Sequence, residues 1–287
     1  MRVLLCHRLN LGDLICASPG IQWAKRQWPE SRFRLFTNDF AARVGALLPE
    51  VEHVYAYRKF GGPAVPEWRA ILSARRWRAR RLIGLSPDPD WRLGIRLMLL
   101  GAIKFGLVSK RVHVAERLAE AFGWNGKDEL PPATLRPPQG KGTPRDVAIW
   151  ISARKPSNRP TDEQVRSLVQ ALERARPGIS ITVLGLPAQA DSAAHQAHHQ
   201  MAVESPPFGE LLAELAASRS VITPDGGISH IAGAFGRPVV TLFGNVPVDV
   251  WRPYTPKAVA LQAPSRRVAD IPVSQIVEAW ESLRSSF

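Results

Sequence analysis

The stretch of sequence that decides the fold spans residues 220–243 and reads SVITPDGGISHIAGAFGRPVVTLF. An apolar run at its start predicts a buried strand over Ser220 to Thr223. Small and apolar residues then predict a helix over Ile228 to Phe235, and a further apolar run predicts a strand over Pro238 to Phe243. Because strands that alternate with helices form parallel sheets, this stretch predicts an α/β fold.

The same alternation begins each half of the chain. Strand and helix patterns follow one another over residues 2–7, 19–28, 32–36 and 40–48, and again over 147–151, 161–176 and 179–184. Between the halves, residues 130–144 are rich in proline and glycine, which mark a linker. We therefore expect a first domain over residues 1–138, a second over 145–271, and a C-terminal helix over 272–287. Packing of this helix back against the first domain is an arrangement that the sequence leaves open.

The chain carries a strong positive charge, because 38 Lys and Arg residues against 25 Asp and Glu give +13. Nucleic acid, phosphorylated small molecules and an anionic membrane surface are all partners that fit this charge. The excess is concentrated between Arg69 and Arg117, where Trp68, Trp77 and Trp91 lie among arginines, a mixture that suits lipid headgroups. A solvated helix face with its tryptophans in the core explains the same pattern. Since the sequence holds no nucleic-acid-binding motif, we expect no nucleic-acid partner.

Cysteine content and hydropathy bear on the compartment. Cys6 and Cys16 are too few for a disulfide framework, so we expect two reduced thiols. The apolar run near the N-terminus is cut short by His7 and Arg8, which argues against a signal peptide. The longest apolar stretch, residues 97–108, is too short to span a bilayer. These features predict a cytoplasmic protein that is at most peripheral on the inner membrane.

The first candidate site lies just after the first predicted strand, since ligands bind beyond the carboxyl ends of the strands in open α/β sheets. Here Asn10, Gly12 and Asp13 combine a glycine, which lets the backbone approach a ligand closely, with a carboxylate at the start of the next helix. A plain turn and helix cap is the alternative explanation.

The second candidate site is the loop over residues 152–160. Arg154, Lys155 and Arg159 crowd this loop before a helix begins, and Ser152 adds a hydroxyl. Cationic side chains and the N–H groups at a helix N-terminus suit a diphosphate. A solvated loop explains the same residues.

The third candidate site begins at Asp225, directly after a predicted strand. Gly226 and Gly227 allow a phosphate or sugar to approach the backbone, and Asp225 can accept hydrogen bonds from sugar or ribose hydroxyls. Ile228 and His230 open the following helix. The alternative is a tight helix start at which His230 caps locally.

Long motifs in both halves resemble those of one family. They are Thr223 to Pro238 with Leu242-Phe243-Gly244-Asn245 and Trp251-Arg252-Pro253, Leu11-Gly12-Asp13 with Ser18-Pro19, Val114-Ala115-Glu116-Arg117 before Gly123, and Arg159-Pro160. Together they resemble the bacterial ADP-heptose:lipopolysaccharide heptosyltransferases, glycosyltransferase family 9. The usual Asp-Thr-Gly or Asp-Ser-Gly of the family is replaced by Asp225-Gly226-Gly227.

The resemblance implies a GT-B fold, with two facing Rossmann-like domains that have parallel sheets. It implies that the first domain binds a glycan or glycolipid acceptor, such as the lipopolysaccharide core, and that the second binds a nucleotide-sugar, most directly ADP-heptose. Asp13 is then the catalytic base of an inverting transfer. The expected acceptor-binding residues are Asn10, Gly12, Arg69 and Arg76, and the expected donor-binding residues are Ser152, Arg154, Lys155, Arg159, Asp225, Gly226, Gly227, Ile228 and His230.

We expect no metal ion and no cofactor, because fixed positive charge in the second domain offsets the charge that develops on the diphosphate. His195, His198 and His199 have a spacing that suits a transition metal, and a surface helix is the preferred interpretation.

Other functions remain open on the sequence. They are transfer from another nucleotide-sugar or to a protein within the same family, a nucleotide-sugar epimerase on paired Rossmann-like domains, and a basic membrane-surface or nucleotide-sugar-binding protein without turnover.

Overall fold

The computed structural model describes residues 1–59, 64–87, 91–101, 112–187 and 203–283. The chain divides into two compact units, Met1–Arg136 and Pro137–Phe287. Each unit has its own parallel sheet covered by helices.

The sheet of the first unit has the strand order β3-β2-β1-β4, and all of its neighbouring strands are parallel. Its strands are β1 Arg2–Cys6, β2 Arg32–Asn38, β3 Val51–Tyr57 and β4 Arg81–Gly84. The chain leaves β1 toward β2 on one side and returns to β4 on the other. The strand order therefore reverses between β1 and β4, which is the position where such sheets bind ligands.

The helices of the first unit are α1 Leu11–Cys16, α2 Ser18–Gln27, α3 Asp39–Gly45, α4 Glu67–Arg76, α5 Trp91–Leu100 and α6 Val114–Glu120. Ala74 of α4 and Leu97 of α5 pack in one apolar cluster with Leu4 and Cys6 of β1, so both helices cover the same face of the sheet. The helix predicted over residues 19–28 is confirmed as α2. A further helix, α1, precedes it, because Asn10 ends the loop as an N-cap.

The sheet of the second unit has the order β10-β9-β8-β5-β6-β7, again with parallel neighbours. Its strands are β5 Val147–Trp150, β6 Ile181–Leu184, β7 Val203–Glu204, β8 Ser220–Pro224, β9 Val239–Phe243 and β10 Ala258–Gln262. Counted within the unit, this is the order 3-2-1-4-5-6 of dinucleotide-binding folds. Here the strand order reverses between β5 and β8.

The helices of the second unit are α7 Asp162–Ala175, α8 Phe208–Ala217, α9 Gly227–Ala234, α10 Val248–Trp251 and α11 Val273–Ser282, with 3₁₀ turns at Pro156–Asn158 and Val268–Asp270. Helix α11 packs on α7, β9 and β10. Its Trp280 is buried, and the indole Nε1 donates to Ser220 Oγ at 3.0 Å. The C-terminal helix thus forms part of the core of the second unit.

Several predictions from the sequence can be compared with the structure. The α/β class with parallel sheets is confirmed. Cys6 and Cys16 are buried free thiols, as predicted. The three tryptophans of the basic segment differ in burial. Trp77 lies in the core, whereas Trp68 and Trp91 are exposed. Within the ranges given above, no helix is long and apolar enough to cross a bilayer.

Candidate active site

Asp13 lies at the carboxyl end of β1, in the first turn of α1. The backbone N–H of Asn10 donates to Asp13 Oδ2 at 3.0 Å, and this bond closes a capping box at the start of the helix. The carboxylate is half-buried. The helix-cap explanation of this motif is thus correct as a description of its structure, and the same cap holds the carboxylate in place beyond the end of the strand.

The loop that leads to Asp13 is held by one side chain at the end of β2 and another just after β3. Asn38 Nδ2 donates to the carbonyls of Arg8 at 3.3 Å and Leu9 at 3.0 Å, and Lys59 Nζ donates to the carbonyl of Arg8 at 3.2 Å. Asn38 Oδ1 also accepts from the N–H of Ala41 and so caps α3. Sequence reasoning did not single out Asn38 or Lys59. An asparagine directly before a predicted helix was the signal available for Asn38.

His7 ends the same strand and is completely buried. Its Nδ1 lies 3.1 Å from Thr37 Oγ1, which ties the end of β1 to β2. Burial, with smaller contributions from Lys59 and Arg8, lowers the pKa of His7 from 6.5 to about 3. The imidazole is therefore neutral at physiological pH.

The predicted acceptor-binding residues are only partly brought together. Asn10 and Gly12 share the loop and first turn that hold Asp13. Arg69 lies in the first turn of α4, toward the carboxyl edge of the sheet, because α4 follows β3. Arg76 ends α4, about 10 Å further along the axis at about 1.5 Å per residue. It therefore lies toward the opposite edge of the sheet.

In the second unit, two of the predicted loops flank the point where the strand order reverses. The loop over residues 152–160 follows β5, and residues 225–227 follow the neighbouring strand β8. Burial raises the pKa of Asp225 to about 6, and the charge of Lys155 opposes that rise. The two loops thus bring a cation and a carboxylate within electrostatic range of each other.

The turn between β8 and α9 depends on glycine. Gly226 has φ 157° and ψ −171°, a conformation that other residues rarely adopt, and a Cβ built on it meets no atom within 4 Å. Ser229 Oγ donates to the carbonyl of Gly226 at 2.7 Å. The first N–H groups of a helix have no partner inside it, so those at Gly227 and Ile228 are available to an anion beyond the sheet edge.

The basic loop contains both anchoring and exposed groups. Ser152 is buried, and its Oγ accepts from the N–H of Leu186 at 2.8 Å. Arg159 Nε donates to the carbonyl of Ala153 at 2.6 Å. The side chains of Arg154 and Lys155 are exposed. Ser152 and Arg159 therefore hold the shape of the loop, whereas the side chains of Arg154 and Lys155 extend into solvent.

After β9, the chain passes very close to the basic loop over residues 152–160. A Cβ on Gly244 would lie 2.1 Å from Asn158 Oδ1, so only glycine lets the chain pass the basic loop. Gln262 Nε2 donates to the carbonyls of Gly244 and Val246 and fixes this approach. Sequence reasoning did not find Asn158 or Gln262. His230 of α9 is buried beneath the turn rather than exposed on it.

One acidic motif of the sequence bears on metal binding. Asp88-Pro89-Asp90 is an Asp-x-Asp sequence, which is a pattern that can hold a divalent cation against a diphosphate. It lies outside the described residues, as do His195, His198 and His199. Among the residues that the structure describes, no group of His, Cys, Asp and Glu is placed to hold a metal ion.

The fold is similar to that of solved glycosyltransferases. A family 9 glycosyl transferase from Veillonella parvula is 17% identical with a TM-score of 0.82, covering 100% of this chain and 97% of that one. ADP-heptose lps heptosyltransferase II of E. coli is 16% identical with a TM-score of 0.81, covering 99% and 98%. Heptosyltransferase WaaC of E. coli, solved with ADP, is 20% identical with a TM-score of 0.73, covering 99% and 100%. These similarities show that the chain has the GT-B fold.

Two separate parallel sheets, one in each unit, agree with this fold. The sequence of residues 142–278 matches the model of glycosyltransferase family 9 (heptosyltransferase). The second unit therefore matches the family that the motifs of the sequence resemble. A comparison with curated protein sequences found no match.

Proposed function

We propose that the protein transfers heptose from ADP-heptose to a lipopolysaccharide-core or related glycan acceptor, with inversion at the anomeric carbon and without a metal ion. The observation that carries this proposal is the position of Lys155 and Asp225, on the loops that follow the neighbouring strands β5 and β8 where the strand order of the second sheet reverses. Nucleotides bind at that position in sheets of this order. The similar E. coli proteins support the donor, because one is named for ADP-heptose and another was solved with ADP.

The second unit would hold the donor. Lys155 and Arg154 supply exposed positive charge, and the N–H groups at the start of α9 supply dipoles directed at the diphosphate. Arg159 contributes charge while its Nε keeps the loop closed on Ala153. Asp225 accepts hydrogen bonds from hydroxyls of the ribose or sugar when it is ionised. Fixed charge of this kind stabilises the departing diphosphate without a metal ion.

The first unit would supply the base. Asp13 accepts the proton of the acceptor hydroxyl while the hydroxyl oxygen bonds to the anomeric carbon. The bond from that carbon to the diphosphate oxygen breaks on the opposite face, and ADP leaves with the electron pair. Because the hydroxyl becomes acidic only as the new bond forms, the base needs correct placement more than a high pKa. The capping bond to the Asn10 N–H supplies this placement.

The same proposal includes where the protein works. A glycolipid acceptor carries phosphates and acidic sugars at an anionic surface, which a protein of net charge +13 approaches readily. We propose a cytoplasmic protein in peripheral contact with the inner membrane.

A second candidate is the same transfer from a different nucleotide-sugar. The observation that favours it is Gly226, which stands where the family usually has threonine or serine and has a backbone conformation unfavourable to both. The hydroxyl that would touch the donor is absent, and the turn has a shape that such a residue would not adopt easily.

A thermal-shift panel with ADP, UDP, GDP, CMP and ADP-heptose, with EDTA present, separates the candidates, since a ligand that binds only the folded state raises Tm. We expect ADP and ADP-heptose to raise Tm. Selective stabilisation by UDP or GDP would replace ADP-heptose with another donor, and stabilisation only when a divalent cation is restored would refute metal independence. The anomeric configuration of the product, read by NMR, tests inversion.

A further inference from the structure

Helix α5 is apolar on its exposed side as well as on its buried side. Leu93, Leu97 and Leu100 face the core of the first unit. The exposed positions include Trp91 at 71% and Met98 at 57% of full exposure. Most surface helices place charged and polar residues on the face away from the core. The exposed side of α5 is therefore a largely apolar surface whose contact with water is unfavourable.

Helix α4 extends this surface. It packs beside α5 on the same face of the sheet, and Arg96 Nη2 of α5 donates to Glu67 Oε2 of α4 at 3.1 Å. Trp68 is 59% exposed and Leu72 is 50% exposed on α4. We call the exposed apolar residues of the two helices the α4–α5 face, which consists of Trp68, Leu72, Trp91, Ile95, Met98 and Leu99.

The charge of the two helices is almost entirely positive. Their sequences hold three arginines in α4 and two in α5, against the single acid Glu67. The guanidinium of Arg69 lies 5.1 Å from the ring centre of Trp68, and that of Arg92 lies 5.3 Å from the ring centre of Trp91. Indole rings favour the boundary between water and hydrocarbon, and guanidinium groups pair with lipid phosphates. Two copies of this face would instead bring like charges together.

The tryptophans of the α4–α5 face lie toward the same edge of the sheet as the proposed acceptor site. Trp68 is the second residue of α4 and Trp91 is the first residue of α5. Each helix follows a parallel strand, so both tryptophans lie toward the carboxyl edge of the sheet, where the loop with Asp13 also lies.

We infer that the α4–α5 face is a docking surface for a lipid bilayer that contains anionic lipids. The tryptophans and aliphatic side chains enter the headgroup boundary, and the arginines contact phosphates. This orientation turns the loop that carries Asp13 toward the membrane. The inference rests on the proposed function only for the idea that the acceptor is membrane-anchored.

Vesicle flotation tests the surface without donor or acceptor. The wild-type protein is expected to float with vesicles of phosphatidylcholine and phosphatidylglycerol, and to be released by high salt. The double variant Trp68→Ser/Trp91→Ser is expected to lower the partition coefficient about tenfold. Leu186→Ser is the matched control, because Leu186 of the second unit is 55% exposed and lies outside the face. This control should partition as the wild type does.

Three results would overturn the inference. They are equal flotation of wild type and double variant, no flotation with anionic vesicles, and a wild-type dimer in analytical ultracentrifugation that the double variant abolishes. Transfer to a water-soluble acceptor fragment should be unchanged in the double variant. A failure of the donor assignment would leave the flotation result intact, so the two proposals fail separately.

A labelled variant guards against a folding defect in the double variant. Cys6 and Cys16 are buried, so a single exposed cysteine from Met98→Cys can be labelled with an environment-sensitive dye. A blue shift on adding anionic vesicles is expected. An unchanged spectrum would contradict insertion of α5.

Discussion

The two units build the carboxyl edges of their sheets by different means. In the first unit, side chains reach loop carbonyls, as Asn38 and Lys59 do around Arg8. In the second, the backbone itself forms the edge, through Gly226 at the start of α9 and through Gly244 against the basic loop. A side-chain scaffold leaves a carboxylate fixed for proton transfer, whereas a glycine turn leaves backbone N–H groups close to a phosphate. The difference matches the separate tasks, acceptor activation and donor binding, that we propose for the two units.

The largest expected effect is a loss of catalysis without a loss of donor binding. Asp13→Asn should lower kcat about a thousandfold, because it removes the base, while donor affinity stays near that of the wild type. Asparagine retains an oxygen that can accept from the Asn10 N–H, so the cap should survive. Asp39→Asn, which changes the first-turn acid of α3, is the control. Steady-state kinetics with varied donor give both constants, and a fully active Asp13→Asn enzyme would end the base assignment.

A fall in pH should change the stability of the two units in opposite directions. The pKa of His7 falls from 6.5 to about 3 on folding, so the stability of the first unit is present above pH 6.5 and is lost as the pH falls toward 3. The pKa of Asp225 rises from 3.8 to about 6, so the folded second unit binds a proton first and gains stability as the pH falls from above 6 to 4. Each effect amounts to about 1.4 kcal/mol per pH unit within its range.

Hydrogen exchange at pH 7 and pH 5, corrected for the intrinsic rate, reports the two units separately. Protection of β1 should decrease at pH 5 and protection of β8 should increase. Asp225→Asn should remove the change in β8 and leave β1 as it was. A parallel decrease in both strands would contradict the opposite signs.

The basic loop should show a smaller effect, confined to the donor. Lys155→Ala should raise the donor KM about tenfold through loss of a charge-assisted contact, with little change in the acceptor KM. Arg174→Ala removes an exposed cation on α7 of the same unit and serves as the control. If Arg154→Ala has a larger effect than Lys155→Ala, Arg154 becomes the main phosphate contact.

The smallest effect concerns the glycine turn. Gly226→Ala and Gly236→Ala both place a side chain on a backbone that disfavours one, with φ 157° and 72°, and neither Cβ meets a neighbouring atom. Each should cost about 1–3 kcal/mol of stability. Only Gly226→Ala should also weaken donor binding, by a few fold in calorimetric titration. Equal donor affinity in the two variants would remove the turn from the donor site.

Sequence patterns predicted the individual strands of this fold well. Buried parallel strands are continuous apolar runs, so the strands around Val147 to Ile151 and Ser220 to Thr223 were recognisable. Helix α1 was not predicted, because a cap at Asn10 resembles an ordinary polar turn. Trp77 and Trp68 share the same basic segment, and only packing separates the buried residue from the exposed one.

The sequence by itself determined the α/β class, the resemblance to family 9 and the loops that follow the strands, because each of these depends on short patterns of apolar residues, glycines and charges. Tertiary structure alone decided the strand orders and the partners of the loops. Asn38 reaches Arg8 across 30 residues, and Gln262 reaches Gly244 across 18. Such contacts form only when parallel strands bring distant loops to one edge, so no local pattern encodes them.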